Sequence, residues 1–153
     1  MKKIIFGLIF TTFMSANMSA QQVSINAGVA YSNVASIIDN SIGVMYGFVF
    51  SDNKVEISGD FNYFFDEADN QRYSPWALNF DVRYVTLDKG KYNLYPFVGV
   101  NMSQIYDLKS VGLNLGVGSR YAINKRIGVF LDAKYSFGYM DGVFVSMGIN
   151  LKP

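Results

Sequence analysis

The 153-residue chain contains no cysteine and no histidine. Without cysteine there is no disulfide framework, no thiolate metal site and no anchor for a lipid on an N-terminal cysteine. Without either residue, neither a cysteine nucleophile nor a Ser–His–acid relay can be assembled. Charged residues make up only 16% of the chain, and they form no long run of one sign. The linear sequence therefore shows no basic patch, and no nucleic-acid partner is expected. A glycine-rich nucleotide fingerprint and tetrahedral metal spacing are also missing, so no cofactor and no metal are expected. Beyond the first twenty residues, no stretch carries a helical period.

The N-terminus opens with Lys2 and Lys3, followed by the apolar run Ile4–Phe10 and a small, polar stretch ending Met18-Ser19-Ala20. This is the layout of a secretory signal peptide over residues 1–20, cut before Gln21. The apolar run is too short to cross a hydrocarbon core of roughly 30 Å as a helix. Met18 is an imperfect residue at the third position before the cut. Removing the leader leaves 11 basic and 12 acidic side chains, a nearly neutral mature domain over 21–153.

That domain alternates with period two almost throughout. Eight segments, 23–31, 42–50, 55–65, 76–85, 92–103, 111–123, 127–138 and 143–151, each set an apolar row against a row of small and polar residues. In the first, Val23, Ile25, Ala27, Val29 and Tyr31 oppose Ser24, Asn26, Gly28 and Ala30. Tight polar turns follow the second, fourth and sixth segments: Ser51–Lys54, Asp88–Lys91 and Asn124–Arg126. Longer linkers, Ser32–Ser41, Asp66–Pro75 and Gln104–Ser110, follow the first, third and fifth, whereas Gly138–Gly142, after the seventh, is short. Short turns at one end and longer loops at the other are the pattern of an up-and-down membrane barrel with both termini at the periplasmic end.

Alternation alone also fits a soluble sandwich or a secreted or periplasmic carrier barrel, so the position of the charges decides. A soluble barrel spreads Lys, Glu and Asp over its outer row. Here the polar row is mostly Gly, Ser, Asn and Ala, and the apolar row is nearly free of charge. The reading is an all-β, eight-stranded antiparallel transmembrane barrel, its greasy rows facing lipid. Closure, with the first strand paired to the last, follows because open sheet edges in lipid would leave N–H and C=O groups unpaired.

The inward row then carries a near-balanced charge set: Glu56, Asp60, Asp81, Arg83, Arg120, Asp132 and Lys134. Pairing across the tight turns sets Asp60 diagonal to Arg83 and Arg120 diagonal to Asp132. Asp81 and Lys134 are expected at similar depth, with Glu56 nearer the periplasmic rim. Buried unpaired charges are costly, so this set is expected to form an ion-pair network. With the inward Met45, Phe64, Tyr95, Phe97, Phe130 and Phe144 it would plug the lumen. Gly112, Gly116 and Gly118 remove bulk along one strand. Pro96, lacking an N–H, is expected at a bulge or rim. Outward Tyr31, Tyr63 and Trp76 fall toward the loop ends and Tyr84, Tyr92 and Tyr121 toward the turn ends, as headgroup anchors would. Tyr46 and Tyr135 fit this less neatly.

Asp60 with Asp81 would be a carboxylate pair open to acid–base chemistry, but their basic neighbours make structural ion pairs the plainer reading. Asp66-Glu67-Ala68-Asp69-Asn70 is acidic yet lacks calcium-loop spacing, and reads as a solvated loop tip.

Taken over Gln21–Pro153, strand count, turn order and the closing strand Gly142–Leu151 resemble the small outer-membrane β-barrels related to the transmembrane domain of outer membrane protein A and to outer membrane protein X, the porin-family barrels. The chain departs from them at its end, where Leu151 and then Lys152-Pro153 stand in place of a terminal aromatic. The resemblance implies a bacterial outer-membrane location, a last strand read by the barrel-insertion machinery, and a monomer among membrane lipids. Function is then expected to be non-enzymatic, structural or in surface interaction through ligands at the loops. A small passive channel is the alternative.

Overall fold

A computed structural model describes residues 22–34, 38–65, 75–105, 108–138 and 141–153. The signal peptide read over 1–20 and the acidic stretch Asp66–Asn70 lie outside them. Among the described residues nine strands run in chain order: β1 Gln22–Val34, β2 Ile38–Asp52, β3 Val55–Phe65, β4 Trp76–Tyr84, β5 Leu87–Lys89, β6 Tyr92–Ile105, β7 Leu108–Ala122, β8 Ile127–Phe137 and β9 Gly142–Leu151. All pairings are antiparallel between neighbours. β1 pairs with β9 from Ile25↔Leu151 to Val34↔Gly142, which closes the ring.

β4 and β5 together form one stave, so the barrel has eight. Their ladder to β6 stops at Arg83↔Phe97 and resumes at Leu87↔Leu94. One strand thus advances one residue more than its partner, which is a bulge. Thr86 N–H bonds to Leu94 O at 3.0 Å and Val85 N–H to Lys54 O at 2.7 Å, so the backbone stays paired through the kink. Pro96 lies in β6 opposite this break and in register with Val117 on its other side.

The turns are tighter than the sequence pattern implies. Asp52↔Val55 and Lys89↔Tyr92 enclose two-residue hairpins, each with a left-handed residue first: Asn53 at φ 53° and Gly90 at φ 69°. Both residue types tolerate that region. At the third turn Asn124 Oδ1 accepts from the N–H groups of Arg126 and Ile127, both at 2.8 Å.

The other end corrects two loop readings. Ser32–Ser41 and Gln104–Ser110 are mostly strand: the ladders continue through Ser32↔Ser41 to Val34↔Ile38, and through Gln104↔Lys109 to Ile105↔Leu108. Polar residues mark these stretches as loop in sequence, yet sheet that rises past the hydrocarbon has no need of an apolar face. Among the described strands, the widest separation in sequence is that between Phe65 and Trp76.

The polarity is inverted relative to a water-soluble domain. Val111, Ile42, Tyr46, Leu113 and Leu115 are 75%, 64%, 62%, 59% and 58% exposed, while Asp81 and Arg83 are each 2% exposed. Rows of this kind, running round a closed ring, suit hydrocarbon outside and a polar filling inside.

Candidate functional site

An eight-stranded barrel is just wide enough for its inward side chains to fill it. That filling is the chemically distinctive part of the described chain, and it is layered along the axis.

Nearest the turns, Arg120 of β7 donates from Nη1 and Nη2 to Glu56 Oε1 and Oε2 of β3, at 2.9 and 3.0 Å. Ser51 Oγ donates to the same carboxylate at 2.9 Å. In the next layer Arg83 Nη2 meets Asp132 Oδ2 of β8 at 3.0 Å. Tyr95, fully buried, donates its hydroxyl to Asp132 Oδ1 at 2.7 Å. The guanidinium carbons of Arg83 and Arg120 lie 5.1 and 5.3 Å from the Tyr95 ring centroid, within cation–π range. Above this, Lys134 Nζ approaches Asp60 Oδ1 at 3.9 Å.

All seven inward charges named from the sequence are inside the barrel, but their partners differ from the diagonal expectation. Among the described residues Asp60 does not pair with Arg83, nor Arg120 with Asp132; each of the three ion pairs crosses the lumen instead. Even Glu56 and Arg83, directly opposed on adjacent strands, do not pair with each other. Side chains on one inner wall project in parallel, so a long Arg or Lys extends to the far wall of a narrow lumen more readily than it folds back. Asp81 makes no ion pair among the described residues; its Oδ1 accepts from Asn114 Nδ2 at 3.1 Å.

The inward asparagines stand on the polar row of the sequence pattern, where alternation alone assigns them no role. They form an amide belt across β3, β4, β6, β7 and β8. Asn79 donates to Asp60 at 2.8 Å, Asn114 to Asn79 at 3.0 Å, Asn101 to Asn114 at 2.8 Å, and Ser136 to Asn114 at 3.2 Å. The signal was the register, with Asp60↔Asn79, Asn79↔Asn101 and Asn114↔Ser136 directly opposed. Toward the loop end Ala30, Met45, Phe64, Ala77, Phe130 and Phe144 make an apolar cluster, with the Phe64 and Phe144 rings 6.0 Å apart. A cavity of about 10 Å³, lined by Ala77, Asn79, Asn101, Ser103, Ser136 and Phe144, has room for about one water molecule.

Inward glycines make space for these groups. A Cβ on Gly99 would land on the Asp81 carboxylate, and one on Gly118 on both Asp132 and the Tyr95 ring. No group of three or more metal-ligating side chains is assembled among the described residues.

Solved structures share this closed eight-stave topology. Neisserial surface protein A superimposes with a TM-score of 0.64 at 14% identity, covering 88% of this chain and 98% of its own. The fold is that of the small outer-membrane β-barrels. The N-terminal barrel domain of OprF from Pseudomonas aeruginosa matches at 0.61 and 16% identity, covering 87% and 97%. Ail, the attachment invasion locus protein of Yersinia pestis, matches at 0.59 and 12%, covering 86% and 96%. Ail has also been solved in complex with the heparin analogue sucrose octasulfate. No protein-family model matches the sequence, and no curated protein matches it by sequence.

Proposed function

We propose that the mature chain is a plugged barrel of the bacterial outer membrane, non-enzymatic, whose work is done at its loop end. The observation that carries this reading is the lumen: three ion pairs brace it from wall to wall, an amide belt fills the middle and aromatic side chains cap it. Ions would have to break buried charge pairs to pass, and breaking one such pair costs about 3–5 kcal/mol. A passive small-solute channel would need a continuous wet path, and a soluble carrier barrel a charged outer wall; neither accords with these side chains. Strand β9 is the segment offered to the insertion machinery, and the barrel acts as a monomer surrounded by lipid.

Surface interaction then falls to the connections at the loop end, above all the one between Phe65 and Trp76. The ligand class of Ail does not carry over simply. The segments at this end hold Asp39, Asp66, Glu67, Asp69, Asp107 and Asp141 against Arg72 and Lys109. A polyanion such as sucrose octasulfate would meet net negative charge, so a cationic or neutral ligand is favoured.

Two measurements on the reconstituted protein test the reading. Planar-bilayer recording should show no stable, large conductance; a steady open level would refute the plug. Replacing residues 66–74 with a short Gly-Ser linker should leave insertion intact and abolish surface attachment. Unchanged attachment would refute the role of that connection.

A further inference from the structure

Charges outside the lumen are sorted by the fold in a way that the linear sequence hides. The turn end gathers Lys54, Lys89, Lys91, Lys125, Arg126 and Lys152 from four separate places in the chain. Among the described residues only two side-chain carboxylates outside the lumen, Asp52 and Asp88, accompany them. Both serve local turns: Asp52 Oδ1 accepts from Asn53 Nδ2 at 3.2 Å, and Asp88 Oδ1 accepts from the Gly90 N–H at 3.0 Å. None of the six cations enters an ion pair among the described residues, whose three pairs all lie inside the barrel. Five are exposed and Lys152 is half-buried.

We propose that this cationic collar is a docking surface for the anionic headgroups of the phospholipid leaflet at the turn end. Depth is the second, independent ground. The outward tyrosines Tyr84, Tyr92 and Tyr121 mark the level where an apolar ring meets the polar interface. Lys91 precedes Tyr92 directly, Lys89 is its register partner, Tyr92 pairs with Tyr121, and Lys54 is one residue beyond Val55, the partner of Tyr84. At roughly 3.3 Å per residue, the collar stands at phosphate height rather than out in bulk water. Asn124 holds the Arg126 backbone with its side-chain oxygen, which fixes the Lys125-Arg126 corner at the same rim. In sequence, the segments that join the strands at the opposite end carry more acidic than basic residues and would repel the same headgroups, which confines contact with anionic lipid to one leaflet. Single positive charges at a membrane surface attract anionic lipid within a Debye length, and a ring of them adds up.

The inference rests on the membrane reading, and one experiment separates the two. The mature barrel is reconstituted into phosphatidylcholine vesicles with and without phosphatidylglycerol. Heat-shifted gel migration reports insertion, and spin-labelled lipids report which headgroup is held at the barrel surface. The wild type should favour phosphatidylglycerol over phosphatidylcholine by roughly threefold or more, and lose the preference in high salt. The variant K54Q/K89Q/K91Q/K125Q/R126Q should insert normally with the preference reduced to about onefold. Arginine at the four lysine positions should retain it, and Lys109→Gln at the other end should leave it unchanged. An inserted wild type without preference, a preference insensitive to salt, or one that survives the glutamine changes would overturn the docking surface alone. Failure of the wild type to insert in either vesicle would overturn the membrane reading, and the docking surface with it.

Discussion

Arg120 of β7 and Glu56 of β3 close on each other across the lumen through two hydrogen bonds, 2.9 and 3.0 Å long. Both side chains are buried, so neither can recover its hydration if the other is removed. Glu56→Gln keeps the shape and deletes the charge, leaving the Arg120 guanidinium without its partner. The variant should lose about 3–5 kcal/mol, seen as a lower urea midpoint for unfolding from vesicles. Adding Arg120→Met removes the stranded charge and should recover part of that loss. A single variant as stable as the wild type would show that the pair braces nothing.

Gly118 faces a more crowded interior than Gly128. A methyl group on Gly118 meets Asp132 and Tyr95 together, two groups already joined by the 2.7 Å hydrogen bond, whereas at Gly128 the nearest atom is Tyr121 O at 3.0 Å. Gly118→Ala should destabilise the barrel by about 1–3 kcal/mol, as overpacking does, and Gly128→Ala by less. Comparing the two unfolding midpoints checks the ranking; equal effects would contradict it.

Closure is open to a covalent test because the chain has no cysteine of its own. Ala27 on β1 and Ile149 on β9 are register partners, and both side chains face outward. The double variant Ala27→Cys/Ile149→Cys should form an intramolecular disulfide on mild oxidation, whereas Ala27→Cys with Leu131→Cys, on β8, should not. Absence of the first link in correctly inserted protein would mean that the seam is open.

Much of this architecture was legible because period-two alternation assigns every residue of a strand to a face, and here one row is greasy and the other small or polar. Met45, Phe64, Tyr95, Phe97, Phe130 and Phe144 could be read as inward on parity alone, and all six are buried. Parity does not reveal which charge meets which. Arg83 chooses Asp132 over its direct neighbour Glu56 because of lumen width and strand stagger, neither of which the pattern encodes. Strand ends escape the pattern for a different reason: past the hydrocarbon, Ser32–Val34 and Ile38–Ser41 pair as strand without needing an apolar row. Pro96 did signal an irregularity in sequence, and the bulge opposite it, at Val85–Thr86, is where the ladder breaks.

Collisional accessibility of nitroxides placed singly at Leu113, Leu115 and Val117 of β7 tests most directly whether the outer rows face hydrocarbon. All three side chains are on the outer wall and about half exposed. In the reconstituted barrel each label should collide freely with oxygen, which concentrates in lipid, and hardly at all with a water-soluble nickel chelate. High access to the chelate and low access to oxygen at these sites would mean that this wall faces water, contradicting the transmembrane barrel.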